Sequence, residues 1–264
     1  MTTYLFGDNE MAARRLRVLA RVFEPPTRDF LEAWRRGPGG FDPELAAPTV
    51  VDLGCGPGHT TRLLAEALGC HVVGLDRSDP FLYEARRLGP TRVSFCFHDV
   101  TQVDFPTPPA HLLYSRFLLS HLTDIPMVLS RWRANLRPGA WLLLEEPEWI
   151  STEVEPFRLY LDLVAESLVR RGSELYVGRR LTEHGAAAGL APELDRVAEH
   201  AVTDRDAATM FAWNLPTIRT SPELRSHPAA ELDDLQQALD DLAHLDSPES
   251  RVRWGLRQVA LRME

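Results

Sequence analysis

Short apolar runs alternate with amphipathic segments from residue 49 to residue 145, and this alternation constrains the fold more than any other feature of the chain. Strand-like and helix-like segments that follow each other at this spacing form βαβ units, which assemble into a parallel sheet buried on both faces. We predict strands at residues 49–53, 71–75, 92–97, 110–114 and 140–145, and helices at residues 58–68, 79–88 and 124–136. The chain is therefore assigned to the α/β class.

The segments on either side of this alternation are mostly helical in pattern. Before it, apolar spacing predicts a helix over residues 10–24 that ends at Pro25-Pro26, and a second helix over residues 27–36. After it, we predict helices at 156–171, at 179–188 and through much of 205–245, with strands at 193–202 and 253–261. We interpret residues 1–264 as a single domain with a helical cap at 1–40, a core at 48–150, helical lid segments at 151–178 and 203–250, and a final strand in 251–264.

Three glycines on alternate positions follow the first predicted strand, in the sequence VVDLGCGPG of residues 50–58. A loop that opens a helix offers free backbone N–H groups, and missing Cβ atoms let a ligand approach closely. The alternative is a tight strand-to-helix turn without a ligand. The dinucleotide fingerprint G-x-G-x-x-G would place a glycine where His59 stands, and a P-loop would end in Lys followed by Ser or Thr. The loop matches neither pattern.

With Asp52 in front of it, this loop closely resembles motif I of the class I S-adenosylmethionine-dependent methyltransferases. Acids end the next two predicted strands, and the segments RPGA at 137–140 and VGRRL at 177–181 also match that family. The resemblance implies a Rossmann-like, seven-stranded, mostly parallel sheet with helices on both faces and helical lid insertions. It implies that the core at 48–150 binds S-adenosyl-L-methionine, with S-adenosyl-L-homocysteine as the product.

The resemblance also implies which residues hold the cofactor. Asp76 accepts the ribose hydroxyls, Asp99 accepts the adenine amino group, and the Val100 N–H meets the adenine ring. Arg15 pairs with the methionyl carboxylate, although a solvent-facing arginine of the first helix is an equal alternative. The full predicted cofactor set is Arg15, Asp52, Gly54, Cys55, Gly56, Gly58, Asp76, Arg77, Asp99, Val100 and Ser115.

The acceptor side is predicted from residues that could position a nucleophile or remove its proton. His121, in YSRFLLSHL at 114–122, follows the fourth strand, and this segment resembles that of phosphoethanolamine methyltransferases, in which a histidine works with an N-terminal tyrosine. Tyr4 is the corresponding tyrosine here, and a packing histidine is the alternative. Phe117 stands where that family has an acid, so its substrate is not implied. Glu146, at the end of the fifth predicted strand, is the third catalytic candidate, either as a base or as an anchor for an amine, and a solvated acid at a strand end is the alternative. Two residues are predicted for the substrate pocket, Trp149 and Tyr176.

Composition narrows the partners of such an enzyme. A formal charge of −9 argues against a nucleic-acid or anionic-membrane partner, and the chain contains no run of about 18 apolar residues. The three cysteines are scattered, so no metal is expected. We expect a cytoplasmic enzyme, monomeric or homo-oligomeric, that methylates a small metabolite, and its Arg- and Ala-rich composition suggests natural-product biosynthesis as a setting.

Three other functions remain open at this point. A methyltransferase-like protein can bind S-adenosylmethionine and catalyse cyclisation or decarboxylation, an interpretation that the glycine loop and its acids do not separate from methyl transfer. An NAD-dependent oxidoreductase and a regulatory subunit without turnover are the other two. Comparing the binding of NAD with that of S-adenosylhomocysteine tests the oxidoreductase. The mass of the product separates methyl transfer from cyclisation or decarboxylation, and a regulatory subunit would form no product.

Overall fold

One sheet lies at the centre of the molecule, in a computed structural model that describes residues 4–37, 39–40, 47–87, 89, 92–245 and 248–264. Its strands are β1 Val50–Leu53, β2 Val72–Asp76, β3 Val93–Phe97, β4 Ala110–Arg116, β5 Leu136–Thr152, β6 Leu190–Val202 and β7 Val252–Met263. The order is β3-β2-β1-β4-β5-β7-β6, with β1 to β5 parallel and β7 antiparallel to both β5 and β6. The predicted seven-stranded, mostly parallel sheet is confirmed.

Helices precede β1 and fill most of the connections between the strands. They are α1 Glu10–Val22, α2 Glu24–Arg36, α3 His59–Leu68, α4 Asp79–Arg87, α5 Ile125–Ala134, α6 Glu155–Arg170, α7 Leu181–Ala187, α8 Asp204–Ile218 and α9 Ala229–His244. Three short 3-10 turns add Leu119–His121, Val177–Arg180 and Pro222–Leu224. The predicted helices of the βαβ region agree with α3, α4 and α5 to within two residues at each end.

The side chains of each strand alternate between two separate hydrophobic cores, because successive side chains of a strand point to opposite faces of a sheet. On one face, Val50 and Leu112 pack with Phe30, Trp34 and other residues of α2 and α3. On the other face, Val51 and Leu113 pack with Trp132 and other residues of α5 and α7. A third core joins α1, α6, α8 and α9 over the ends of β5, β6 and β7. This third layer covers the carboxyl ends of the parallel strands, where a ligand would bind.

The order of the strands shows where along the sheet a ligand would bind. Chain connections run from β1 outward to β2 and β3, and the chain then crosses back to β4 on the other side of β1. Ligands of open α/β sheets bind outside the carboxyl ends of the strands at such a reversal. The loops after β1, β2, β3 and β4 therefore meet at one place.

Two sequence-based boundaries were wrong. The first helix, α1, already ends at Val22. Pro25 and Pro26 belong to the first turn of α2, where the missing backbone N–H of a proline leaves no helical hydrogen bond unmade. β5 begins at Leu136 rather than at residue 140 and continues to Thr152. The segment expected as a turn, 137–140, is accommodated as an irregularity in the β4–β5 register, with Gly139 at φ 74°. Pairing with β7 extends the far end of β5.

In the part of the chain that the structure describes, no helix combines the length and apolarity needed to cross a bilayer. The same residues contain no group of three or more His, Cys, Asp or Glu side chains that could hold a metal ion.

Candidate active site

The glycine loop turns sharply at the carboxyl end of β1. Gly54, Gly56 and Gly58 have φ of 69°, 52° and 79°, in the left-handed region that favours glycine. The backbone N–H groups of Gly54 and Cys55 donate to the carbonyl of Leu75 at 2.8 and 3.0 Å, which ties the loop to β2. Gly54, Cys55 and Gly56 line a cavity that begins here.

Gly58 serves packing rather than the cavity wall. A Cβ at this position would lie 2.6 Å from Cζ of Phe95 and 3.0 Å from Cβ of Ala85. Gly58 is the residue before α3, so its missing side chain lets the start of that helix approach β3 and α4. Its predicted place in the cofactor set is therefore indirect.

We expect Gly58→Ala to destabilise the fold by about 2–4 kcal/mol, because a left-handed backbone strains an alanine and the new Cβ overpacks the site. Gly69→Ala is the matched control, since Gly69 has φ 71° but no atom within 4 Å of the place that a Cβ would occupy. That variant should lose only about 1–2 kcal/mol from backbone strain. Urea unfolding of both variants measures the difference, and equal losses would contradict the packing role.

Acids at the ends of β2 and β3 form the second part of the site. Asp76 Oδ2 accepts the Gly56 N–H and Oδ1 accepts the Ser78 N–H, both at 2.8 Å. Burial raises the pKa of Asp76, and these backbone hydrogen bonds oppose the rise. A carboxylate has about four acceptor sites, so at least one remains for a ligand hydroxyl. Asp76 lines the cavity and is bound to the same loop that the glycines form.

Asp99 follows β3 in sequence and lines the same cavity. Its Oδ1 accepts the backbone N–H and the hydroxyl of Thr101 at 2.9 and 2.7 Å. Burial acts to raise the pKa of Asp99, but the Thr101 hydrogen bonds and the Arg77 charge outweigh it, so that the pKa is lowered. The Arg77 guanidinium lies 3.8 Å from Asp99 Oδ2. Val100 and His98 complete this wall.

The cavity has a volume of about 490 Å³, which is within the range of small-molecule sites. It runs without interruption from the glycine loop and the two acids to a chamber under the helical layer. The chamber is mostly apolar, and residues of α1, α6 and α8 form much of its wall. Its apolar lining includes Leu19, Leu161, Val164, Leu168, Met210 and Phe211.

Three predicted site residues, Tyr4, Arg15 and His121, form a cluster in the wall of this cavity. The ring centroids of Tyr4 and His121 are 4.9 Å apart, edge to face, and Phe6 makes a similar contact with His121 at 5.0 Å. Arg15 donates to the Tyr4 hydroxyl at 3.3 Å and lies over the Phe6 ring. Tyr4, Arg15 and His121 all line the cavity, so residues that are far apart in sequence form one cluster.

Burial, together with the nearby charges of Arg15 and Arg171, lowers the pKa of His121 to about 3. The imidazole is therefore neutral at physiological pH and is a weaker base than a histidine with an ordinary pKa. Its Nδ1 is buried without a hydrogen-bond partner among the described residues. A neutral ring of this kind is suited to accept a hydrogen bond from a ligand.

Comparisons with known proteins agree with this geometry. A family model of a methyltransferase domain matches residues 50–139. Trans-aconitate 2-methyltransferase of Methylobacterium radiotolerans is 32% identical over 212 residues, covering 74% of this chain and 79% of that protein. This chain belongs to the class I S-adenosylmethionine-dependent methyltransferases.

Two further comparisons concern the sequence relatives and the fold. Trans-aconitate 2-methyltransferase of Methylobacterium nodulans is 42% identical over 106 residues, 39% of this chain, and the match spans only 40% of that relative's length. The solved structure of geranyl diphosphate methyltransferase in complex with SAM has a TM-score of 0.54 at 16% identity, covering 99% of this chain and 98% of that one. At that identity the likeness shows the fold alone.

S-adenosylmethionine is the cofactor of this family, and the residues at the sheet edge fit it. The glycine loop leaves room for backbone contact, and the two acids offer the oxygens that ribose and adenine donors require. His98 Nε2 and Arg15 Nε belong to residues of the cavity wall and are buried nitrogens with no hydrogen-bond partner in the described part of the chain. A polar ligand would satisfy such groups.

Besides Gly58, two members of the predicted cofactor set, Asp52 and Ser115, lie outside the cavity wall. Asp52 is buried beneath the loop, where its Oδ2 accepts the Thr61 hydroxyl at 2.7 Å, and burial raises its pKa to about 7. This contact links β1 to α3, so Asp52 supports the loop from below. Ser115 is fully buried within β4, opposite Leu53 of β1. Neither side chain is placed to touch a ligand in the cavity.

Glu146 is also placed differently from its predicted catalytic role. Its Oε1 accepts the backbone N–H groups of Leu118 and Leu119, both at 2.7 Å. Burial raises its pKa to about 8, against these hydrogen bonds. Glu146 is not part of the cavity wall, and it holds the turn that carries His121. The geometry favours a positioning role over a catalytic one.

The two predicted pocket residues, Trp149 and Tyr176, lie outside the wall as well. The Trp149 ring packs against the backbone of Gly255, since a Cβ there would lie 2.2 Å from the indole. Tyr176 is half-buried and its ring lies under the Arg179 guanidinium at 5.3 Å. Three other aromatic residues, Tyr160, Phe211 and Trp254, line the chamber instead.

Sequence reasoning missed the polar residues of the chamber, Asn214, Arg116 and Arg171. Arg116 belongs to the quoted segment at 114–122, so its position at the end of β4 was a usable signal. Asn214 belongs to α8 and Arg171 directly follows α6, and no motif there distinguishes a residue that faces the chamber. Their position depends on how α6 and α8 pack.

Proposed function

We propose that this chain transfers a methyl group from S-adenosylmethionine to a small, partly apolar acceptor held in the chamber under α1, α6 and α8. The observation that carries this proposal is the single cavity that joins the glycine loop and its acids to an apolar chamber. A methyl donor and an acceptor would share one enclosed space, as a direct transfer requires. The natural-product setting suggested by the composition stays a prediction.

The residues take the following proposed roles. S-adenosylmethionine supplies an electrophilic methyl group on a sulfonium. Asp76 and Asp99 hold its ribose and adenine, and Arg15 binds its carboxylate. Tyr4 and the neutral imidazole of His121 orient the nucleophilic group of the acceptor. The apolar side chains of the lid exclude water, which strengthens these polar contacts.

The two relatives from Methylobacterium suggest trans-aconitate as one acceptor to test. Against it, a tricarboxylate needs several cations, and the chamber wall is largely apolar. Arg116 already donates to the Thr27 and Thr60 hydroxyls, and Arg171 is paired with Glu223 at 3.0 Å. We therefore favour an acceptor with fewer charges than trans-aconitate.

Incubation with S-adenosylmethionine and a panel of small phenols, alcohols, amines and carboxylic acids, trans-aconitate included, tests the proposal. We expect a product heavier than its acceptor by about 14 Da and an equal amount of S-adenosylhomocysteine. Consumption of an acceptor without that mass gain would support cyclisation or decarboxylation instead. Calorimetry should detect S-adenosylhomocysteine binding and no NAD binding, and the reverse result would overturn the proposal.

A further inference from the structure

A polar pair lies in the apolar wall of the chamber, contributed by two lid helices. Asn214 of α8 donates from Nδ2 to the hydroxyl oxygen of Tyr160 of α6 at 2.5 Å. Both residues line the cavity, and they are only 2% and 4% exposed. The pair is therefore built into the interior of the site and not onto the surface of the lid.

The surroundings of the pair hold it in place without satisfying it. The Tyr160 ring stacks on Phe211, with centroids 4.2 Å apart and an interplanar angle of 17°. Leu161, next to Tyr160 in sequence, and Met210, one helical turn before Asn214, also line the cavity. Burial raises the pKa of Tyr160 to about 12, so the phenol stays protonated at neutral pH.

Hydrogen-bond counting among the described residues leaves the Tyr160 O–H, the second Nδ2–H of Asn214 and Asn214 Oδ1 available. Because the Asn214 amide donates to the Tyr160 oxygen, the Tyr160 O–H remains free to donate to a ligand. Asn214 Oδ1 is buried and accepts no hydrogen bond from any described residue. Buried polar groups of folded proteins are nearly always bonded, and an unsatisfied one in an apolar wall calls for an explanation. At least one donor and one acceptor thus point to the same small region.

We propose that Tyr160 and Asn214 form the specificity subsite for the acceptor and select a neutral group that both donates and accepts a hydrogen bond, such as a hydroxyl or an amide. A carboxylate is excluded because it has no hydrogen for Asn214 Oδ1. A purely apolar substrate is excluded because it leaves both groups unsatisfied. This inference rests on the proposed function, since it takes the chamber to be the acceptor site.

Two compounds that differ in one hydroxyl provide the test, 3-phenylpropanol and propylbenzene, each titrated into protein saturated with S-adenosylhomocysteine and followed by NMR. Wild-type protein should bind the alcohol about 10-fold more tightly than the hydrocarbon. In Asn214→Leu the preference should disappear, and Tyr160→Phe should reduce it. Thr209→Val, on α8 but outside the cavity wall, is the matched control and should keep it.

A stability measurement separates ligand selection from a structural role. Without ligand, the double variant Tyr160→Phe/Asn214→Leu should unfold at the same temperature as the wild type or higher, because it replaces both partners of the buried hydrogen bond and the unsatisfied oxygen by apolar groups. A fall of several degrees would mean that the pair exists to hold α6 and α8 together. That result would overturn the proposal, as would equal binding of the alcohol by wild type and Asn214→Leu, or no binding by the wild type.

Failure of this inference is distinguishable from failure of the proposed function. Binding to the loaded protein requires no turnover, and S-adenosylhomocysteine affinity is measured on the same samples. If methyl transfer occurs but the Asn214→Leu enzyme has an unchanged KM for its acceptor, the subsite is wrong and the function stands. If the Asn214→Leu KM rises about 10-fold while cofactor affinity is unchanged, the subsite is supported.

Discussion

Replacing Asp76 with Ala is expected to weaken S-adenosylhomocysteine binding by at least about 100-fold, because two charge-assisted hydrogen bonds to a ribose are worth about 3 kcal/mol or more together. Asp76 is the acid that connects the glycine loop to the end of β2, through its bonds to the Gly56 and Ser78 amides. Its loss removes the predicted ribose acceptor and loosens the loop at once. Isothermal titration calorimetry on both proteins measures the effect.

The control for this experiment is Asp104→Asn. Asp104 is an exposed acid after β3 with φ 65°, a conformation that asparagine tolerates. Its replacement removes one negative charge from the surface without touching the cavity, so the affinity of this variant should match that of the wild type. A thermal melt of ligand-free Asp76→Ala shows whether the variant is folded. An affinity unchanged in folded Asp76→Ala would refute the ribose role.

The cofactor half of this site could be predicted from sequence because local features determine it. A glycine loop after β1, and acids at the ends of β2 and β3, have fixed places once the strands are parallel and adjacent. Each residue then follows from its position on a strand. The same logic does not place Asp52 and Ser115 in the cavity wall, because strand residues alternate and these two side chains lie before the strand end.

The acceptor half could not be predicted in the same way. Its wall comes from α1, α6 and α8, which are distant in sequence and whose relative packing has no local signature. Trp149 was a reasonable pocket candidate because it follows the predicted end of β5, but β5 continues past it and turns its ring onto Gly255. Tyr160 and Phe211 lie in predicted helices, but helical spacing alone does not distinguish an aromatic residue of the chamber wall from one of the core.

Glu146 and His121 illustrate a third limit, which is electrostatic. The sequence places both groups near strand ends at the expected edge, but it does not reveal their burial. Full burial keeps the Glu146 pKa high and the His121 pKa low, so both are driven toward their neutral forms. A catalytic role that depends on charge is therefore less favoured by the structure than by the sequence, whereas a role in hydrogen bonding and positioning gains support.

Replacing His121 with Ala is expected to lower kcat by about 100-fold, the lower end of the usual effect of a positioned acid-base group. Cofactor affinity should change little, because the imidazole meets Tyr4 and Phe6 rather than the glycine loop. His121→Asn offers a side-chain oxygen in place of Nδ1 and should recover part of kcat. Rapid-quench measurement of a single turnover isolates the transfer step, and an unchanged rate in His121→Ala would eliminate the role.

The depressed His121 pKa adds a second readout that does not depend on finding the acceptor. Between the unfolded value of about 6.5 and the folded value of about 3, the unfolded chain binds the extra proton, so His121 costs stability as pH falls through this window. His121→Asn removes that cost. The melting temperature of the variant relative to wild type should therefore be higher at pH 5 than at pH 8. If the difference is the same at both pH values, the imidazole titrates normally, and a general-base role near neutral pH becomes the better explanation of any loss in kcat.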